Sequence, residues 1–119
     1  MTKKRKLLGA LGERLAASHL EKRGYKILDM NYRCCMGEVD IIAYDGKTYI
    51  FVEVKTRSGL AFGRPIESIN YKKREHMVRT ALNYLKAKQL GDCSYRFDAV
   101  EVLFEGENLS EIHHVKNIV

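Results

Sequence analysis

Two acidic side chains and a lysine lie in segments that are apolar enough to form strands at the centre of a sheet. Asp40 belongs to the segment EVDIIAY, and Glu53 and Lys55 belong to the segment TYIFVEVKT. A carboxylate among apolar residues is costly unless it is paired or bound to a cation. One lysine cannot neutralise several carboxylates, but a divalent cation such as Mg²⁺ can, because it prefers carboxylate oxygens and keeps several waters.

A divalent ion at this position would support a definite chemistry. It can polarise a phosphoryl oxygen and help to generate a hydroxide nucleophile. Lys55 would orient or activate the attacking water, or it would stabilise charge that develops on the phosphate. Asp40, Glu53 and Lys55 therefore favour metal-dependent phosphoryl chemistry.

The two segments are predicted to form a β-hairpin around Asp45-Gly46. This dipeptide is a strong signal for a two-residue turn, because both central residues of such a turn need positive φ. A turn at this position sets the cross-strand pairs. They are Tyr44 with Lys47, Ile42 with Tyr49, Asp40 with Phe51, and Glu38 with Glu53.

Side chains alternate between the two faces of a strand. Asp40 and Glu53 therefore share one face of the hairpin and lie diagonal to each other, within reach of a shared ion. Glu38 and Lys55 lie on that same face. The alternative is an exposed hairpin face with solvated charges, but the aromatic Phe51 on the acidic face argues against it.

Helical periodicity appears twice along the chain. Residues 8–23 are predicted to form a helix with the apolar residues Leu8, Leu11, Leu15, Ala16 and Leu20. Asn70 is a candidate cap for a second helix that extends to about residue 89. The apolar face of this second helix consists of Met77, Ala81, Leu82 and Leu85.

The order of elements predicts the fold class. Besides the hairpin strands 38–44 and 48–56, strands are predicted over 25–32, 95–104 and 111–115. The order α-β-β-β-α-β-β is typical of an α/β sandwich around a mixed sheet, with helices on its faces. The length of 119 residues suits a single domain, 1–119.

Composition narrows the setting in which the chain acts. No run of 18 apolar residues is present, and the N-terminal segment does not have the pattern of a secretory signal. The three cysteines show no spacing typical of a zinc site. We therefore expect a reduced cytoplasmic protein. The net charge of +6, with basic residues concentrated near the N-terminus, favours a polyanionic partner such as nucleic acid.

Asp40, followed thirteen residues later by Glu53-x-Lys55, resembles the (P)D…(D/E)xK signature of the restriction-endonuclease-like superfamily. Further segments extend the resemblance over most of the chain, and by them it is identified as a member of the YraN family of predicted endonucleases. Those segments are Gly12-Glu13-x-x-Ala16, Gly24-Tyr25, Asn31-x-Arg33, Gly37-Glu38-Val39-Asp40-Ile41-Ile42-Ala43, Phe51-Val52-Glu53-Val54-Lys55-x-Arg57, Phe62-Gly63 and Arg96-Phe97-Asp98. The family is similar to archaeal Holliday junction resolvases.

The resemblance implies a restriction-endonuclease-like α-β-β-β-α-β core and a role for each matching residue. Asp40 and Glu53 would be metal ligands, and Lys55 the catalytic lysine. Glu13 would correspond to a glutamate of the first helix that reaches the metal directly or through water. Its spacing leaves open an ordinary exposed position. Glu38 is either a further ligand or a residue that supports the ligands. Val39 replaces the proline of the signature, which is not a ligand.

Several other side chains are weaker candidates. Arg57 and Arg64 flank a glycine-containing loop that could follow a DNA backbone. Lys73 and Arg74 begin the second helix, whose N-terminus could favour a phosphate. Arg96 and Asp98 share a strand face and are predicted to form a structural pair, the alternative being an approach to the metal site. His113 and His114 are predicted to be residues of the sheet edge, although either could serve as a general base.

The leading hypothesis is a Mg²⁺- or Mn²⁺-dependent endonuclease that hydrolyses DNA phosphodiester bonds, with branched or junction DNA as a candidate substrate. Two alternatives are a non-catalytic nucleic-acid-binding module and an interaction subunit that is active only with a partner. Cutting of two strands would suit a two-fold homodimer. The complete Asp40, Glu53 and Lys55 set favours the enzyme.

Overall fold

The computed structural model describes residues 3–58 and 71–119. Within these two ranges it confirms the predicted order of elements, with a five-stranded mixed sheet and two helices. The elements are α1 (Lys3–Lys22), β1 (Lys26–Cys34), β2 (Gly37–Tyr44), β3 (Thr48–Ser58), α2 (Tyr71–Ala87), β4 (Ser94–Glu105) and β5 (Asn108–Val115). The predicted cap Asn70 lies outside the described residues.

Helix α1 begins at Lys3, five residues before the predicted start at Leu8. The added turn consists mainly of lysine and arginine, which are good helix formers but carry no apolar periodicity. Gly24 follows the helix with a φ of 92°. Glycine accepts this backbone conformation without the steric cost of a Cβ atom, which is why the helix ends here as predicted.

The sheet has the strand order β1-β2-β3-β4-β5. Strands β1, β2 and β3 form an antiparallel meander, and β5 pairs back antiparallel on β4, as expected for the segment 111–115. Strands β3 and β4 are parallel. Parallel neighbours need a crossover connection, and α2 lies in the chain between them.

Each face of the sheet carries one hydrophobic core. The α2-side core joins α2 to one face and consists of Val39, Ile42, Phe51, Met77, Ala81, Tyr84, Leu85, Phe97, Ala99 and Ile118. The α1-side core joins α1 to the other face and consists of Ala16, Leu20, Ile41, Ala43, Ile50, Val52, Val54, Val100, Val102 and Phe104. Neighbouring residues of β3 alternate between the two cores, which is why this strand is apolar on both sides.

The prediction that Leu11 and Leu82 lie in the core is wrong. Leu11 is 40% exposed and Leu82 is 46% exposed. In α1 the buried row is instead Gly12, Ala16 and Leu20, at a spacing of four residues. A Cβ atom on Gly12 would lie 2.1 Å from Thr56 Oγ1. Glycine is therefore required where α1 crosses β3, and this contact rotates Leu11 toward solvent.

The register of the β2–β3 hairpin differs from the predicted one by two residues. Tyr44 pairs with Tyr49, and Ile41 pairs with Val52. The loop is longer because the Asp45 carboxylate accepts hydrogen bonds from the backbone N–H groups of Lys47 and Thr48, at 2.9 and 2.7 Å. Such a side-chain turn does not need positive φ at the aspartate. A shift of two residues leaves the side chains of the paired residues, Ile41–Tyr44 and Tyr49–Val52, on their predicted faces.

Two further findings concern membrane-spanning helices and the cysteines. Among the described residues, no helix is long and apolar enough to cross a membrane. Cys34, Cys35 and Cys93 are all free thiols.

Candidate active site

The candidate site lies where β2 and β3 separate. Their pairing reaches Ile41 and Val52 and stops there, although β2 remains paired with β1 as far as Gly37. Asp40 is the next residue beyond the last pair on β2, and Glu53 is the next on β3. Asp40 Oδ2 accepts a hydrogen bond from the backbone N–H of Val54 at 2.8 Å. The carboxylate of Asp40 is thereby held against β3 beside Glu53.

Strand β2 also changes face at this point. Val39 packs in the α2-side core, whereas Ile41 packs in the α1-side core. In a regular strand these two side chains would lie on the same face. The partner strand is irregular at the same level, because Asn31 adopts a φ of 53°. The simple alternation that placed Glu38 and Asp40 on one face therefore does not hold.

Glu53 and Lys55 lie on the face of β3 that is covered by α2. Phe51, two residues before Glu53, belongs to the α2-side core. Glu53 is 4% exposed. Its Oε1 lies 3.3 Å from Lys55 Nζ and 2.5 Å from Lys73 Nζ. Two lysines, one from β3 and one from α2, therefore converge on a single carboxylate oxygen.

The surroundings shift the protonation of three of these groups. Burial and the neighbouring charge of Glu53 raise the pKa of Asp40 to about 7, although the Val54 N–H opposes the rise. Burial, together with the adjacent Lys73, lowers the pKa of Lys55. Burial also opposes the charge on Lys73, but its hydrogen bond to Glu53 outweighs this effect and its pKa is raised. Such opposed shifts in neighbouring groups are typical of functional sites.

Glu13 is half-buried on α1, so the exposed alternative is not the arrangement found. It lies near enough to Asp40 for its charge to contribute to the raised pKa of that residue. Within residues 3–58 and 71–119, no three His, Cys, Asp or Glu side chains are grouped closely enough to hold a metal ion together. Asp40 and Glu53 offer two carboxylates that are close enough to interact electrostatically. Mg²⁺ is commonly bound by one or two carboxylates, with waters and substrate phosphates as the other ligands.

An open groove of ≈ 330 Å³ lies beside the carboxylates and is lined by Gly37, Glu38, Lys72, Lys73 and His76. Glu38 forms an ion pair with Arg33 at 2.8 Å, and both side chains are largely exposed. Lys73 lines the groove and also forms an ion pair with Glu53. It is thus the residue that connects the buried acidic centre with the basic surface.

The structure separates the other predicted nucleic-acid contacts from one another. Arg57 lies within β3, which continues to Ser58, and its guanidinium donates to the backbone carbonyl of Thr56 at 3.3 Å. Arg74 is exposed on α2. Arg64 lies outside the described residues. Among the described members of this set, which are Arg57, Lys73 and Arg74, only Lys73 contacts Glu53.

Asp98 lies on the opposite face of the sheet from Glu53. It pairs in register with Val52, whose side chain packs in the α1-side core. Fully buried, Asp98 accepts hydrogen bonds from Arg96 Nε at 3.0 Å and from the backbone N–H of Asn117 at 3.1 Å, and it lies 2.7 Å from His114 Nε2. This network is the structural pair that was predicted for Arg96, extended by a histidine.

The histidines differ from each other. His114 is buried against Asp98, whereas His113 lies 2.7 Å from Glu111 on the surface. Both residues lie on β5, the edge strand of the sheet, as predicted, but only the side chain of His113 is exposed to solvent. The two residues occupy adjacent positions on β5, so alternation sends their side chains to opposite faces.

One buried acid beside the site was missed by the sequence analysis. Glu101 is 2% exposed and pairs in register with Lys55 across the parallel strands. The neighbouring Ala99 belongs to the α2-side core, so Glu101 lies on the same face as Glu53. The signal was available in principle, because Glu101 interrupts the apolar segment YRFDAVEVLF in the way that Glu53 interrupts its own strand.

Comparison with known proteins identifies the family. Residues 12–102 match the uncharacterised protein family UPF0102, and the chain belongs to this family. It is 44% identical to a UPF0102 protein of Alkaliphilus metalliredigens, over 94% of this chain and 96% of the relative. It is 47% identical to one of Caldicellulosiruptor saccharolyticus, over 92% and 94%. A relative in Geobacter metallireducens is 44% identical, over 94% and 91%. The resemblance to the YraN family, inferred above from motifs, is thus confirmed.

Proposed function

We propose that this protein is a metal-dependent endonuclease of the restriction-endonuclease-like superfamily that hydrolyses DNA phosphodiester bonds. The observation that carries the proposal is the pair of carboxylates at the fork of β2 and β3. Asp40 and Glu53 are adjacent there, and Lys55 Nζ lies 3.3 Å from Glu53. The same three residues form the Asp…Glu-x-Lys signature in the sequence.

The donor set fits a hard divalent cation. The charge of Glu53 contributes to the raised pKa of Asp40, and this repulsion would be relieved by a cation between the two carboxylates. Asp40 and Glu53 would hold Mg²⁺ or Mn²⁺. The ion would supply a polarised phosphoryl oxygen and an activated water. The Val54 N–H would keep the Asp40 carboxylate oriented toward the other ligand.

Lys55 would act on the phosphate. It is largely buried, and its Nζ is held by the Glu53 carboxylate. A cation fixed in a site with little water stabilises developing negative charge more strongly than the same cation in solution. Lys55 would therefore donate to a non-bridging phosphate oxygen as charge builds there, or orient the attacking water.

DNA is proposed as the substrate because of the charge of the protein. The net charge is +6, and the groove beside the carboxylates presents Lys72, Lys73 and His76. Cationic side chains beside a cleft contact phosphates irrespective of base sequence. Branched or junction DNA is the more specific candidate, and this choice rests on the resemblance to junction resolvases.

A non-catalytic nucleic-acid-binding module is the second candidate. The contact between Lys73 and Glu53 favours it, because this ion pair compensates the buried acid without a metal. Such a module would bind DNA through the groove and leave the backbone intact. It differs from the nuclease in a single observable, the turnover of phosphodiester bonds.

The test is a cleavage assay with Mg²⁺ or Mn²⁺ on duplex, single-stranded, flap and four-way-junction DNA. Wild-type protein is compared with Asp40→Ala, Lys55→Ala and the matched control Asp92→Ala, an exposed aspartate between α2 and β4. We expect cleavage by the wild type and the control, and a loss of at least about 100-fold in the two site variants. Cleavage that persists in folded Asp40→Ala and Lys55→Ala would reject this active site. DNA binding without cleavage by the wild type would favour the second candidate.

A further inference from the structure

Lys55 and Lys73 hold the Glu53 carboxylate in different ways. Lys55 is two residues away on the same strand, and its side chain is 16% exposed. Lys73 reaches Glu53 from α2, and its side chain is 41% exposed. Lys73 Nζ is also the closer of the two, at 2.5 Å compared with 3.3 Å. The shorter ion pair is therefore made by the lysine that has more room to move.

A divalent ion at Glu53 would compete with this ion pair. Mg²⁺ lies about 2.0–2.1 Å from its carboxylate oxygens. An ammonium group hydrogen-bonded to the same carboxylate would then lie within a few ångströms of the ion, where like charges repel strongly in a poorly hydrated site. Lys55 is confined by its surroundings, whereas Lys73 can withdraw toward solvent.

We propose, on the basis of the metal site proposed above, that Lys73 is a tethered counter-ion that occupies Glu53 in the metal-free protein and is displaced when a divalent cation binds. The lysine keeps the buried carboxylate compensated until the metal arrives. It thereby weakens the apparent affinity for the metal, because the free energy of the Lys73–Glu53 ion pair is lost when the metal binds.

The displaced ammonium group has a defined place to go. Lys73 lines the groove together with Lys72, His76 and Glu38, whose charge is compensated by Arg33. Movement away from Glu53 toward this groove would add positive charge where a phosphate of the nucleic acid would lie. Metal binding and polyanion binding would then favour each other, because coupling between two ligands is reciprocal.

The test is a titration of the metal-free full-length protein with Mn²⁺, followed by isothermal titration calorimetry. Lys73→Met removes the ammonium group and keeps an unbranched apolar side chain that reaches as far as the ε-carbon. Lys72→Met is the matched control, since Lys72 is the exposed neighbour on α2 and its loss changes the net charge equally. Lys73→Arg keeps the charge and can pair with a carboxylate through two parallel hydrogen bonds. Circular dichroism and thermal unfolding with chelator establish that each variant is folded.

The tethered counter-ion predicts opposite effects for the two substitutions at position 73. Lys73→Met should bind Mn²⁺ about five- to tenfold more tightly than the wild type, and Lys73→Arg should bind it less tightly. Lys72→Met should remain within about twofold. In chelator, Lys73→Met should unfold at a lower temperature than the wild type, and saturating Mn²⁺ should remove most of that difference.

Three results would overturn the inference. Equal affinities for wild type and folded Lys73→Met would show that no ion pair is displaced. Equal tightening by Lys72→Met would show that the loss of one positive charge, and not the ion pair with Glu53, changes the affinity. The absence of Mn²⁺ binding in every variant would reject both this inference and the metal site beneath it. If the affinities change as expected but no DNA is cleaved, the counter-ion role stands and the proposed nuclease activity fails.

Discussion

Asp40 is fixed by the backbone of Val54, whose N–H donates to Asp40 Oδ2 at 2.8 Å. The last backbone pair between β2 and β3 is Ile41 with Val52, and Asp40 and Glu53 are the first residues beyond it. The side chain of Asp40 thus makes the contact between the two strands just beyond the last backbone pair. This relationship gives the carboxylate a fixed orientation and holds it close to Glu53, and it underlies the first prediction.

Asp40→Asn should stabilise the metal-free protein at pH 8. The pKa of Asp40 is about 7, above the usual value of an aspartate in an unfolded chain. The folded state therefore binds the extra proton between about pH 4 and pH 7, and the stability from this group is lost as pH rises through that window. Asparagine is neutral throughout and can still accept from Val54. We expect a gain of about 1–2 kcal/mol in the free energy of unfolding at pH 8.

Urea unfolding with chelator at pH 5, 6, 7 and 8 measures this effect. The difference between Asp40→Asn and wild type should increase toward pH 8, while the exposed Asp92→Asn should follow the wild type at every pH. A constant difference across the series would contradict a raised pKa at Asp40. The metal binding proposed above should be weakened in Asp40→Asn, since the substitution removes one of the two carboxylate charges that would hold the cation.

Glu13→Gln should lower the pKa of Asp40 from its value of about 7. The charge of Glu13 is one of the causes that raise this pKa, after burial and the charge of Glu53. The titration of the Asp40 carboxyl carbon by NMR spectroscopy measures the change in the metal-free protein. Glu21→Gln, an exposed substitution on the same helix, is the control and should leave the titration unchanged. Identical titration curves in Glu13→Gln and wild type would place Glu13 outside the site.

Gly12→Ala should destabilise the protein by about 2 kcal/mol because the added methyl group has no room. Its Cβ atom would lie 2.1 Å from Thr56 Oγ1. Gly9→Ala is the matched control on the same helix, since its Cβ would meet nothing within 4 Å. That substitution should stabilise the helix by roughly 0.5–1 kcal/mol. Thermal unfolding of the two variants should therefore shift in opposite directions.

The cause of the Gly12 effect can be tested by a second substitution. Thr56→Ala removes the hydroxyl that the new methyl group would strike, so the double variant should recover part of the loss. Additive losses in the double variant would indicate that α1 and β3 are not in the close contact described here. Because α1 also carries Glu13, a displaced helix should weaken any effect of this residue on Asp40.

Asp98→Ala should destabilise the protein by about 3–5 kcal/mol, because it removes the buried carboxylate that pairs with both Arg96 and His114. Burial opposes the charge on Asp98, but hydrogen bonds from His114 and Arg96 outweigh it and lower its pKa. This contribution is present above the pKa of an unfolded aspartate and is lost as pH falls through the lower folded value. The wild type should therefore lose stability on acidification over a range in which Asp98→Ala changes less.

Denaturant unfolding at pH 7 and at pH 3 measures this prediction. Glu75→Ala is the control, since it removes an exposed ion pair with Arg79 on one helix. Such a pair is worth only about 0.3–0.5 kcal/mol. A loss in Asp98→Ala as small as that of the control would show that the network on the α1 face contributes little.

Local patterns were sufficient to predict the elements. Apolar alternation around Ile41 and Val52 identified the central strands, and Gly24 marked the end of α1. Asp40, Glu53 and Lys55 could also be selected locally as candidates, because charged residues in apolar strands need compensation wherever the strands lie. These features depend on neighbours within a few residues, which is why a single sequence carries them.

The contacts between distant segments could be decided only by the tertiary structure. The carboxylate of Asp45 set a longer loop and a different register from the one that Asp-Gly predicts. The pairing of Lys73 with Glu53 joins residues twenty positions apart, and that of Asp98 with His114 joins residues of two strands. Sequence spacing does not encode such contacts, because they depend on how helices cross the sheet and on where strand pairing ends. The residue types of the candidate site were therefore determined by the sequence alone, whereas the counter-ion at Glu53 and the fork at Asp40 emerged only from packing.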